Sequence, residues 1–393
     1  MNKRVIVSIV AMGLGLGVIT GGGFYYRSGR NARLLEQAVE ASKQGNHDAA
    51  IVLYRSIAER GYVPAQRAVA KCYMDGRGVE QSYEEAAKIL LPLAESGDSR
   101  AQAWLAVCYL KLGKPVEEIY PWLQKAAVQG EDGANLGLGM FYADGYGVEQ
   151  SDEEAVKYFR KAAEAGNPQA QFRLADCYEV GRGVEQSNEQ AIAWYVKAAE
   201  QGHGRAQVNL GFLYANKEMY EEAVQWFRKA AEAGNSLAQV NLAKCYKWGR
   251  GVEQSDEEAF KWTRKAVEQG DNVEAYYNLA YCYAEGIGVK KSMSEAFMLW
   301  KEIDEAYLTD LETGSKIVPA EFAIPTSYNL GLCYLHGDGI EENSTIAYIY
   351  IRSAAKAGHP KATQLLKEIW NENPTDSILD VRPPEEKPDA VTE

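Results

Sequence analysis

Apolar residues recur along this chain at three- and four-residue steps, block after block, the period of a helix with one buried face. In Asn167–Gly202 a first stripe runs through Ala170, Leu174, Cys177 and Tyr178. Gly181 and Gly183 interrupt it, and Ala191, Trp194, Tyr195 and Ala198 draw a second stripe. The block predicts two helices joined by a glycine turn. Gly202 is suited to end the second helix, as are Gly97, Gly130, Gly166, Gly234, Gly270 and Gly358 in other blocks.

The turn is nearly constant. Gly-Val-Glu-Gln-Ser stands at Gly78–Ser82, Gly147–Ser151, Gly183–Ser187 and Gly251–Ser255, and two of these copies are 36 residues apart. That spacing predicts an array of one helical hairpin rather than a conventional domain. A Glu or Gln follows each of these serines by three residues, as in Ser151/Glu154 and Ser187/Gln190, and Ser292/Glu295 repeats the arrangement. The pattern predicts a capping box, with a Ser oxygen on a free amide and the acid or amide reaching back, each cap contributing about 1 kcal/mol. Alanines at fixed places, such as Ala155, Ala162 and Ala163, allow helices to approach to about 8–10 Å.

Laid end to end, hairpins cover Ala32–Gly61, Tyr62–Gly97, Asp98–Gly130, Glu131–Gly166, Asn167–Gly202, His203–Gly234, Asn235–Gly270, Asp271–Leu308 and Ser327–Gly358. His359–Asn371 reads as a closing helix. The expected fold is all-α, a right-handed solenoid of stacked helix-turn-helix repeats preceded by a membrane or signal segment. Its expected divisions are an N-terminal segment 1–30, repeats over 31–308, an inserted loop 309–326, a last repeat with its closing helix 327–373, and a disordered acidic tail 374–393.

One residue order runs through the copies: Ala-Gln-x-x-Leu-(Ala/Gly)-x-x-Tyr, Gly-x-Gly-Val, Glu-Ala or Gln-Ala, then Ala-(Ala/Val)-Glu-x-Gly. It resembles the Sel1-like repeat, a relative of the tetratricopeptide repeat. Ala170-Gln171, Leu174-Ala175 and Tyr178 carry it in one clear copy, and Ala238-Gln239, Leu242-Ala243 and Tyr246 in another. Asp98–Gly130 and His203–Gly234 depart from it, being shorter and without the Gly-x-Gly-Val loop. The resemblance covers most of Ala32–Asn371. It implies a curved solenoid that scaffolds other proteins, often in envelope or secretory-pathway complexes, and it implies no reaction.

Lys3 and Arg4 precede an uncharged, mostly apolar run from Val5 to Tyr26. About 20 such residues cross a bilayer, so an uncleaved anchor is the leading expectation. A cleaved signal is the alternative, with Gly21 and Gly23 as a small-x-small pair. Arg27, Arg30 and Arg33 compete with Lys3 and Arg4 over orientation. The expected location is a single-pass membrane protein with extracytoplasmic repeats; the alternative is a secreted or periplasmic one.

Charge changes the picture by exclusion. The net charge of −13 repels phosphate backbones and anionic lipid surfaces, so no nucleic-acid partner is expected. Six cysteines invite a disulfide or metal reading, yet Cys72, Cys108, Cys177, Cys245, Cys282 and Cys333 all precede a Tyr on a first helix. Equivalent positions about 8–10 Å apart exceed the roughly 7 Å reach of a bridge, so buried thiols are expected. His47, His203, His336 and His359 form no ligand cluster with them. Cys333 with His336 is a weak nucleophile pair, because Cys333 stands at a core position. Gly-Arg-Gly at Gly181–Gly183 lacks the strand and Lys-Ser/Thr of a phosphate loop. No catalytic residue, metal or cofactor is expected, and the chain is read as a non-enzyme; a hydrolase-type enzyme is a second class.

What remains is a protein or peptide partner. The tetratricopeptide likeness places first helices on the concave side, with Phe172, Phe212, Trp248, Tyr277, Tyr281 and Tyr328 on or near it. Lys244, Lys247 and Arg250 lie nearby and suit an acidic partner. The expected function is a membrane-anchored scaffold binding protein or peptide partners on that face, with a secreted effector or regulator as the alternative.

Overall fold

A computed structural model describes residues 29–270, 272–313 and 318–371. Among the described residues all regular structure is helical. Contacts divide the chain into two compact units, Met1–Ala206 and Gln207–Glu393. The first unit holds α1 (Gly29–Lys43), α2 (His47–Ala58), α3 (Val63–Asp75), α4 (Tyr83–Glu95) and α5 (Ser99–Lys111). It continues with α6 (Val116–Val128), α7 (Asp132–Asp144), α8 (Asp152–Glu164), α9 (Pro168–Val180) and α10 (Asn188–Glu200). The boundary falls within α11 (Gly204–Asn216). The second unit holds α12 (Tyr220–Glu232), α13 (Ser236–Trp248), α14 (Asp256–Val267) and α15 (Val273–Glu285). It ends with α16 (Met293–Thr313), α17 (Ala320–His336), α18 (Ser344–Lys356) and α19 (Pro360–Trp370). Odd-numbered helices are the first of each hairpin, and even-numbered ones the second.

Gly181, Gly183, Gln186 and Ser187 each have a structural task at the turn. Gly181 takes a left-handed conformation at the end of α9, and its amide donates to the Cys177 carbonyl. Gly183 sits against the first turn of α8, in the hairpin before. A Cβ there would lie 2.9 Å from Glu153 N and closer still to the Asp152 carbonyl. Gln186 Nε2 donates to the Glu179 carbonyl at 2.8 Å, and Ser187 N donates to the Tyr178 carbonyl at 2.9 Å. Ser187 Oγ then accepts the Gln190 amide that opens α10.

The expected capping box is therefore only half formed. In the first full copy Ser82 Oγ accepts the Glu85 amide at 3.2 Å. The Ser82 amide already donates to the Tyr73 carbonyl, so the acid has no donor to return to. Glu85 instead meets Lys88 at 2.5 Å, while Ser82 Oγ donates to Glu84.

Hairpins are joined by recurrent polar bonds over an alanine- and leucine-rich core. Gln171, buried on α9, donates from Nε2 to the Ala163 carbonyl at the end of α8, at 3.1 Å. Gln102 and Gln239 do the same to Ala94 and Ala231. Each of these helix-end carbonyls also accepts the amide of the glycine three residues on, and the Gln of the Ala-Gln pair supplies a second donor from the next hairpin. Arg160 on α8 donates to the Tyr178 hydroxyl at 3.0 Å, repeated by Arg55 to Tyr73 and Arg228 to Tyr246.

One expectation changes. The insertion read as a loop over 309–326 is mostly helix in its described residues: α16 runs through Thr313, and α17 starts at Ala320. Pro319 precedes the first turn of α17, where a missing N–H costs nothing, and Pro325 lies within its first two turns. Asp310 on α16 accepts the Val318 amide at 2.6 Å. All six cysteines are free, and all but the half-buried Cys72 are buried. The apolar run Val5–Tyr26 and the tail 374–393 lie outside the described residues. Among those described, no helix is long and apolar enough to cross a membrane.

Candidate partner-binding surface

Two registers on the first helices separate the aromatic candidates. Phe172, Tyr277 and Tyr328 stand two residues after Ala170, Ala275 and Thr326. This register faces the seam between hairpins. Phe172 is 5% exposed, with ring centroids 5.7 Å from Tyr195 and 4.6 Å from His203. Its expected place on a binding face is corrected: His203 stacks over it and leaves no ring surface for a partner. Tyr328 is half-buried and stacked on His359 at 4.4 Å. Tyr277 packs 5.7 Å from Phe322, and burial raises its hydroxyl above the usual phenol range.

The two histidines have a shared reason to be there. His203 Nδ1 accepts the Ala206 amide and His359 Nδ1 the Ala362 amide, both at 3.2 Å, so each imidazole caps a helix. Asn167 and Asn235 perform that task elsewhere through Oδ1. Burial, with Arg205 and Arg173 nearby, pulls His203 down to about 4.

The second register lies six residues after the same alanine and holds Phe212, Lys244 and Tyr281. Phe212 is 37% exposed, with its ring centroid 5.4 Å from that of Phe227 in an edge-to-face arrangement. Lys244 is taken by an ion pair with Glu274. Tyr281 is 40% exposed and Trp248, at the end of α13, is 53% exposed. Between and beside these rings stand two cations. Lys247 Nζ lies 4.7 Å from the Tyr281 ring and 5.9 Å from Trp248. The Arg250 guanidinium lies 5.3 Å from Trp248 and 5.5 Å from Tyr220. Tyr220, Arg250, Trp248, Lys247 and Tyr281 thus form an alternating aromatic and cationic row within the second unit. Among the described residues, neither Lys247 nor Arg250 is in an ion pair.

Tyr220 was not legible as part of this row. It opens α12 in the hairpin without the Gly-x-Gly-Val loop, and only the fold brings it beside Arg250. A second cluster also goes beyond the sequence reading. The Tyr195 hydroxyl lies 2.5 Å from Asp176 and 2.6 Å from Glu179, beside a cavity of about 250 Å³ lined by Arg173 and Arg182. Burial pushes Asp176 up to about 6. The only clue in the sequence was that Asp176 and Glu179 are three apart on one helix. Cys333 is 1% exposed and its thiol is pushed up to about 12 by burial, which makes it a poor nucleophile.

Repeated hairpins with shared turns, shared caps and shared seam bonds define a helical repeat protein. The Sel1 repeat model matches residues 63–98, 133–167, 168–203, 204–235, 236–271, 273–302 and 326–359. The chain belongs to the Sel1 repeat family. A Sel1 repeat protein from Oxalobacter formigenes is similar at 31% identity and a TM-score of 0.52, over 64% of this chain and 96% of that one. A protective antigen with an SLR fold from uropathogenic Escherichia coli strains is similar at 25% identity and a TM-score of 0.49, over 87% of this chain and 80% of that one.

Proposed function

We propose that this chain is a scaffold that binds protein or peptide partners through the variable positions of its first helices. One observation carries the reading: the recurrent residues are used up within the fold, while exposed Trp248 and Tyr281 stand at varied positions and hold no core together. Exposed aromatic rings beside cations suit recognition of a partner chain. The seven family repeats support an interaction role and assign no reaction. In the fuller reading, Val5–Tyr26 tethers the repeats to a membrane and the repeats face the cell envelope; cleavage after that run would release a secreted form instead.

A photoreactive amino acid at position 281 of the full-length protein, activated in native membranes, tests the binding role. A discrete crosslinked partner, reduced by W248A, supports it. A crosslinking pattern no different from that of a photoreactive group on the exposed face of α14 overturns it. The N-terminal residue of the mature protein tests the tether: intact Met1 supports an anchor, and a start near Phe24 removes it.

A further inference from the structure

The aromatic and cationic row stands on a chain of net charge −13. Its cations are held over ring faces and not by carboxylates, in contrast to Lys244 on the same helix, which Glu274 neutralises. Its rings Trp248 and Tyr281 are 53% and 40% exposed, so both present surface to solvent. Such an edge fits an extended, acidic segment: carboxylates reach the cations, and prolines or aliphatic groups lie on the rings.

One segment of that chemistry belongs to the chain itself. Residues 374–393 carry six carboxylates against Arg382 and Lys387, with Pro383, Pro384 and Pro388 among them. The reach is ample. Glu385 and Glu386 follow Asn371, the end of the described chain, by 14 and 15 residues, a maximum span of ~46 Å at roughly 3.3 Å per residue. Three first-helix steps separate α19 from α13, about 30 Å at about 8–10 Å each. A tether of this length gives an effective concentration in roughly the millimolar range, enough for a weak contact to be populated.

We infer that residues 374–393 dock on the row formed by Tyr220, Arg250, Trp248, Lys247 and Tyr281, with Glu385 and Glu386 facing Lys247 and Arg250. The docking rests on the binding role proposed above. It makes the tail a competitor for whatever acidic partner uses the same row.

The test compares the full chain with a chain ending at Asn373, which keeps every described helix. A fluorescent peptide of residues 374–393 is the probe. It should bind the shortened chain more tightly than the full chain, whose own tail occupies the row. Binding should weaken by roughly tenfold or more in a K247Q/R250Q double variant, and with salt raised well above 0.1 M. Zero-length carbodiimide coupling of the full chain should join Lys247 to Glu385 or Glu386. Equal peptide binding by full and shortened chains, or by the double variant, overturns the docking. So does absence of peptide binding to the shortened chain while photocrosslinking at position 281 still captures a partner. That last result leaves the binding role standing and removes only the tail.

Discussion

Gly183 rests against the carbonyl of Asp152, the first residue of the second helix in the preceding hairpin. Gly251 meets Tyr220 and Gly288 meets Asp256 in the same way, at the first residues of α12 and α14. Each of these three turns is thus a seat for the hairpin before it, with backbone touching backbone. Gly181 differs: a Cβ there would meet Gln186 Cβ at 3.2 Å, a tight contact within its own turn and not an overlap with the neighbouring hairpin.

The two glycines should therefore respond differently to alanine. G181A carries the left-handed conformational cost, about 1–2 kcal/mol. G183A carries that cost and must also push neighbouring hairpins apart, so its loss should exceed that of G181A by about 1–3 kcal/mol. Urea unfolding of the two variants checks this. Equal losses would show that the seam yields without resistance.

Gln171 is the hinge of a short relay, accepting from Gln201 at 2.8 Å and donating to the Ala163 carbonyl. Q171A removes both bonds at a buried site and leaves the Ala163 carbonyl with only backbone donors of its own helix end, the Gly166 amide at 3.0 Å among them, at a cost of about 1–3 kcal/mol. Q201A removes one bond from an exposed side chain and should cost under about 1 kcal/mol. Thermal unfolding of both variants distinguishes a relay from an incidental pair.

These relationships mark where the sequence became opaque. Helix period, glycine ends and serine caps are local, so the hairpins and their turns were legible from spacing alone. The loop expected over 309–326 failed because Pro319 stands before a helix rather than inside one, a position the residue type alone does not reveal. Phe172 and Tyr281 both lie on the exposed-looking side of a first helix. What separates them is the side chain that a neighbouring hairpin lays beside them: His203 of the following hairpin covers Phe172, while Lys247 of the preceding hairpin leaves Tyr281 40% exposed. Periodicity carries no information about that neighbour.

His203 predicts a pH dependence. Its Nδ1 must be unprotonated to cap α11, and its folded-state value of about 4 lies below the unfolded value of about 6.5. Between those values the unfolded chain binds the extra proton. Stability should fall as pH drops through that window, on the order of 1 kcal/mol per pH unit. Asp176 works in the opposite sense, because its value is raised from 3.8 to about 6 and the folded state gains its proton first. H203N isolates the histidine, since Asn caps the same position at Asn167 and Asn235. The wild-type minus H203N difference in stability should become more negative from pH 7 to pH 4.5. A flat difference would mean that the imidazole is not held neutral by the fold.

The last contrast separates binding from packing. Phe172→Ala empties a site closed by Tyr195 and His203 and should cost about 3–5 kcal/mol. W248A and Y281A remove rings already in water, whose contacts are the cations of Lys247 and Arg250. Each should change stability by under about 1 kcal/mol. If the first helices recognise a partner, these two variants should lose its capture while their melting curves stay with the parent. The control is a substitution at an exposed apolar residue off the row, such as Val128→Ala at the end of α6, which should leave both capture and melting unchanged. A loss of several kcal/mol in W248A would instead return Trp248 to the core and leave the row without its central ring.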